Sequence, residues 1–185
     1  MNVLSIDVDW GISNLHQSLL TRFFYNKTKV VDEIIFANYH HSILEVLPTN
    51  IDINLYNVDH HHDLIYEEGE ECNEGNWVNF IIKGNQIKNY YWIHNYNSEA
   101  HPKSFHRARG LEKFSYTTGI NVLNDLEFNK VVICESFEYQ KDSSRLNKYP
   151  LIIDILKGLA FNMFSSKVIV DDTPNIMQPK NIQLC

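Results

Sequence analysis

The sequence predicts an α/β fold, a three-layer α/β/α sandwich with a mostly parallel sheet. Three observations predict it. Apolar β-type runs alternate with stretches of helical spacing. One run, Lys130 to Cys134 (Lys-Val-Val-Ile-Cys), is apolar enough for a buried strand. Polar clusters of Asp and His directly follow several runs, and open α/β sheets bind ligands beyond the carboxyl ends of their strands, near a switch in strand order.

The elements follow in chain order. Val3 to Val8 is a β-type run ending in acidic residues. Asn14 to Phe24 carries Leu15, Leu19, Leu20, Phe23 and Phe24 at helical spacing, with Ser13 as N-cap. Glu33 to Tyr39 reads as the second strand, Ser42 to Leu47 as a helix stopped by Pro48, and Ile53 to Val58 as the third strand. Glu67 to Gly75 is an acidic loop, Trp77 to Ile82 a short helix and Lys88 to His94 a strand. Residues 95 to 110 form a long polar loop. Phe114 to Thr118 is a short edge strand, Tyr149 to Phe164 an amphipathic helix, and Lys167 to Val170 a last strand.

The 185 residues are 44% hydrophobic and 21% charged, which suits one compact domain over residues 1–185 and excludes a disordered chain. A net charge of −7 disfavours nucleic acid or an anionic membrane as partner. Cys72, Cys134 and Cys185 are odd in number and lack a Cys-x-x-C, so neither a disulfide framework nor a cysteine-rich zinc site is expected. Met1 to Trp10 has no basic segment of a signal peptide, and no apolar run reaches the length of a membrane span. Cytoplasm is the expected compartment.

The chemistry concentrates in Asp59-His60-His61-His62-Asp63 and Asp7-Val8-Asp9. Residues two apart in extended backbone point the same way, so Asp59, His61 and Asp63 converge, as do Asp7 and Asp9. Four unpaired carboxylates brought together would repel, and a divalent cation among them is the economical remedy. Carboxylates with some imidazole suit Mn²⁺, and Fe²⁺ or Zn²⁺ also fit. Asp7, Asp9, Asp59, His61 and Asp63 with one imidazole of His40-His41 make six residues, which exceed the needs of one tetrahedral zinc. They match two ions roughly 3.5–4 Å apart that share a water and lower its pKa.

At these residues the chain resembles the arginase and deacetylase (ureohydrolase) superfamily. Tyr39-His40-His41-Ser42, Asp59 to Asp63 and Ser5-Ile6-Asp7-Val8-Asp9 are similar to its three metal-binding elements. In arginases the Asp-x-Asp element comes last, whereas here it opens the chain, as in a circular permutation. A closer resemblance, over roughly residues 1 to 140, is to a small branch that includes peptide arginases. It is carried by Leu4-Ser5-Ile6-Asp7-Val8-Asp9-Trp10, His40-His41, Gly75-Asn76-Trp77 and Tyr91-Trp92-Ile93-His94.

The resemblance implies two Mn²⁺ ions: one held by His41, Asp59, Asp63 and Asp7, the other by His61, Asp59, Asp7 and Asp9. His41 is preferred to His40 because Ser42 follows it. The implied reaction is hydrolysis of an arginine side chain to ornithine and urea, by a metal-bridging hydroxide, on an arginine-containing precursor peptide. Asp63 is the expected proton carrier. Glu135, with Glu138 in reserve, is the expected guanidinium partner, and His94 a candidate shuttle. Lys103, His106, Arg107 and Arg109 are candidates for an acidic leader peptide. The rivals are a free-guanidino ureohydrolase, a one-zinc amide deacetylase using His40-His41, and a non-catalytic peptide-binding member.

Overall fold

The computed structural model describes residues 1–8, 14–27, 31–48, 51–64, 71–73, 75–84, 87–95, 98, 113–134, 154–158, 160 and 168–171. These contain seven strands: β1 (Asn2–Asp7), β2 (Glu33–Ala37), β3 (Ile53–Val58), β4 (Ile87–His94), β5 (Lys113–Thr118), β6 (Lys130–Cys134) and β7 (Val168–Asp171). They join one sheet in the order β5-β4-β3-β1-β6-β2-β7, and every neighbouring pair is parallel. The helices are α1 (Asn14–Lys27), α2 (Ile43–Val46) and α3 (Trp77–Lys83). Residues 154–158 and 160, inside the expected Tyr149–Phe164 helix, are helical.

Strand interiors buried on both faces explain the apolar runs of β1, β2, β3 and β6. Alternation along each strand divides the core in two. Leu4, Ile6, Ile34, Phe36, Val58, Val131 and Ile133 face one side, where Phe23 and Phe24 of α1 and Leu156 cover them. Val3, Ile35, Leu55 and Val132 face the other, under Ile43 of α2 and Trp77, Val78 and Ile81 of α3. The result is the expected α/β/α layering.

One boundary beside the site shifts. The second strand stops at Ala37, because Asn38 and Tyr39 bend away into a short 3₁₀ turn, His40–Ser42. The sheet is parallel throughout the described strands rather than mostly so. Phe114 to Thr118 falls within β5, an edge strand as expected.

The chain leaves β1 for β2 by way of α1 and passes over β6. It then returns by way of α2, on the opposite face, to β3 on the other side of β1. This reversal puts the switch point beside β1, with β3 and β6 as its neighbours. The amino end of β1 is tied down separately. The Met1 ammonium donates to the Asp52 carbonyl at 2.9 Å, and the Asn2 amide donates to the Glu127 carbonyl at 3.0 Å. Asn89 donates to Asn54 and Asn54 to Asn2, an amide ladder across three strands. Among the described residues, no helix is long and apolar enough to cross a membrane.

Candidate metal centre

The α3 face of the sheet carries the site. Parity places Ser5 and Asp7 of β1 on the same face as Val3, and Cys134 of β6 on the same face as Val132. Asn57 of β3 shares that face with Leu55, and Asp59 follows one residue past the strand. The 3₁₀ turn after β2 brings in His40, and the loop before α3 brings in Asp63. All of these side chains are buried: Ser5, Asp7, His40, Asn57, Asp59, Asp63 and Cys134.

His40 stands at the centre. Its Nδ1 lies 3.1 Å from Asp59 Oδ2, 3.2 Å from Asp63 Oδ2 and 3.4 Å from Asp7 Oδ2. Its Nε2 lies 2.6 Å from Ser5 Oγ. A single ring nitrogen carries at most one hydrogen, so three carboxylate oxygens share one donor position. With the acids ionised and the imidazole protonated, three negative charges meet one positive charge in a space closed to water. Such an imbalance is costly unless a further cation or protons compensate it. Burial, reinforced by the Asp63 and Asp7 charges, pushes the Asp59 carboxyl up to about 8. For His40 burial works against protonation, but the carboxylates of Asp59, Asp63 and Asp7 outweigh it and raise the imidazole well above its ordinary value.

The surrounding residues hold the carboxylates in place. The Trp77 indole N–H donates to Asp63 Oδ2 at 2.6 Å, and its ring sits 4.6 Å from that of His40. The His61 backbone N–H donates to Asp59 Oδ1 at 2.8 Å, and Asn57 Nδ2 donates to Asp59 Oδ2 at 3.2 Å. The Trp92 indole N–H donates to the Asp59 carbonyl at 3.1 Å. Asn57 Nδ2 also donates to the Tyr90 hydroxyl, which donates to the His62 carbonyl. Both hydrogens of the Asn57 amide are thus engaged, and its buried Oδ1 has no partner among the described residues. Asp63 adopts φ +53, a left-handed conformation that non-glycine residues rarely take and that clusters at functional sites.

The donor set fits a divalent cation. Two groups of buried donor atoms, each within 4.8 Å of one another, share His40: His40 with Asp59 and Asp63, and His40 with Asp7 and Cys134. This buried His/Asp cluster could hold a metal ion.

Of the residues expected from the sequence, Asp7, Asp59 and Asp63 come together here. The imidazole among them is His40 rather than the expected His41. Successive residues of a tight helical turn point in different directions, so only one of the two rings can drop onto the strand tips. His41 is also buried, with its ring stacked on Tyr39 at 5.7 Å. The His61 side chain is 42% exposed, its Nδ1 lies 3.9 Å from Asp59 Oδ1, and it enters neither donor group. His94 ends β4, stacks on Trp92 at 4.5 Å and directs Nδ1 to the Asn95 carbonyl at 3.0 Å. Asp9, Lys103, His106, Arg107, Arg109, Glu135 and Glu138 lie outside the described residues.

Sequence reasoning missed His40 as the central ring, the nearness of the Cys134 sulfur to Asp7 and His40, and Trp77 as the partner of Asp63. Ser5 was a usable signal for His40, because it lies two residues before Asp7 on the same strand face. A cleft of about 290 Å³, lined by Tyr56, Tyr91, Tyr116 and Leu126 among others, includes no residue of the cluster. Comparison of the chain with protein-family models, curated proteins and solved structures returns no match, so its motifs and this geometry carry the functional reading.

Proposed function

We propose that the protein is a metal-dependent hydrolase acting on C–N bonds, and that its substrate is the arginine side chain of a peptide, converted to ornithine and urea. One observation carries the reading: three buried carboxylates and one imidazole converge at the carboxyl ends of the strands, beside the switch point of a parallel sheet. The arginase-like motifs narrow the reaction class, and the branch resemblance narrows the substrate to a peptide.

Asp7, His40, Asp59 and Asp63 would hold one divalent ion, with Mn²⁺ favoured by the carboxylate-rich set. A second ion would draw on Asp9 and His61. Bound metal of this kind lowers the pKa of water and polarises the group under attack. The chain's own residues do the rest. Asn57 and the His61 backbone N–H orient Asp59. Trp77 and His40 both engage Oδ2 of Asp63, which leaves Oδ1 to carry a proton to the departing amine. Glu135, immediately after β6, is the proposed partner of the guanidinium.

The test is urea release from an arginine-containing peptide and from free arginine, with Mn²⁺ and with a chelator. Metal-dependent urea from the peptide supports the proposal, urea from free arginine alone moves the substrate to a small guanidino compound, and none from either overturns it. A second reading, a one-zinc amide deacetylase, is favoured by the convergence of the described donors on one ring, His40. Metal counting by mass spectrometry separates the two: two manganese ions per chain support the arginase-like reading, and one zinc the deacetylase.

A further inference from the structure

We infer that Cys134 is a sulfur ligand of this centre, making it a mixed carboxylate, imidazole and thiolate site whose affinity for Zn²⁺ the thiolate raises far more than its affinity for Mn²⁺. The inference rests on the metal-site reading above and concerns which ion the site selects. Cys134 is the last residue of β6, in register with Asp7 on β1 and with Ala37 on β2. Its side chain shares the face of Asp7, and it is completely buried. Its sulfur, an oxygen of Asp7 and a nitrogen of His40 lie within 4.8 Å of one another.

Two observations separate this thiol from a packing residue. A cysteine that only fills space has apolar neighbours; this one has an acid and an imidazole that also meets two further carboxylates. The cluster also sets three carboxylates against a single imidazole, so a cation drawn to the acids would sit within reach of the sulfur. On coordination a sulfur–metal bond forms, the S–H bond breaks and the proton leaves to solvent. No electrons are transferred. Oxygen donors alone suit Mn²⁺ or Mg²⁺, whereas a thiolate shifts preference towards Zn²⁺ and Co²⁺.

The test uses the full chain with Cys72→Ser and Cys185→Ser, which leaves Cys134 as the sole thiol. After removal of metal by a chelator, Co²⁺ is added and the absorption spectrum recorded, and a zinc-loaded sample is measured by X-ray absorption. The expected results are a near-ultraviolet thiolate-to-cobalt band and a sulfur neighbour about 2.3 Å from zinc. Adding Cys134→Ser removes the band, keeps the visible cobalt bands, weakens Zn²⁺ binding roughly tenfold or more and shifts Mn²⁺ binding far less. Visible cobalt bands without the thiolate band, and zinc without a sulfur neighbour, overturn the inference and leave the metal site standing. No binding of Co²⁺, Zn²⁺ or Mn²⁺ overturns both.

Discussion

Trp77 and Trp92 permit a controlled measurement of what holds the acidic cluster. Both indoles are buried at 1% exposure or less, and both donate through Nε1. They differ in acceptor: Trp77 meets the Asp63 carboxylate at 2.6 Å, and Trp92 meets the Asp59 backbone carbonyl at 3.1 Å. Replacement by Phe deletes the same atoms at each site, a shared packing loss of about 1–2 kcal/mol. A buried hydrogen bond to a charged group contributes about 1.5–3 kcal/mol, and a neutral one about 0.5–1.5 kcal/mol. Trp77→Phe should therefore cost about 1–1.5 kcal/mol more than Trp92→Phe, roughly a five- to tenfold difference in unfolding constant. Urea titration of the metal-free variants by far-ultraviolet circular dichroism reads this difference. Equal costs, or a larger cost at Trp92, would refute the charge-assisted role given to Trp77. With metal present, Trp77→Phe should also weaken binding by about 10–100-fold, because it loosens a ligand's support.

The remaining predictions address the donors themselves. His40→Ala should abolish tight Mn²⁺ or Zn²⁺ binding in calorimetry, whereas His41→Ala should retain it; the reverse outcome would restore the assignment expected from the sequence. Asp59→Asn should also remove metal binding. In the metal-free protein, wild-type Asp59 has a folded pKa near 8 against an unfolded value of 3.8. The folded state therefore holds a proton that the unfolded state has released, and wild-type stability relative to Asp59→Asn should fall as pH rises from about 4 to about 8. A stability difference that does not change over that window would contradict the burial argument. Asp63→Asn should lose metal yet stay folded, since Asn tolerates the left-handed backbone at this position, while Asp63→Val should unfold at lower denaturant.

Much of the fold was legible because the strands obey one rule. Runs such as Ile34–Ala37 and Val131–Cys134 are apolar on both faces, as suits a sheet covered on both sides. Their carboxyl ends then point to the site without further information, and Asp7, Asp59 and Asp63 followed from that. The choice of imidazole did not follow. Which of His40 and His41 enters depends on the residue at which β2 breaks, and local sequence defines such boundaries only to within a few residues. The strand ended two residues earlier than expected, at Ala37 rather than Tyr39, and the turn that follows carries His40 inward. Cys134 was hidden for another reason. Its partners lie 127 positions away at Asp7 and 94 away at His40, and only the register of β6 against β1 brings them together. Trp77 stood out in the sequence as part of Gly75-Asn76-Trp77, and its indole N–H became informative only once Asp63 was placed before it.

The position of β1 bears on how the molecule is made. This first strand is wedged between β3 and β6, and its amino end is held by Glu127 and Asn129. During synthesis at about 5–20 residues per second, Asp7 waits roughly 6–25 s for Cys134 to be added. For that interval one edge of β1 is an open template, and pairings this distant in sequence are slow to form and prone to association with other chains. A nascent chain arrested before β6 should accordingly be captured by chaperones. The carboxylate and imidazole donors are all on hand once Asp63 has been added, whereas the strand that closes the far side of β1 arrives only later, and β7 later still.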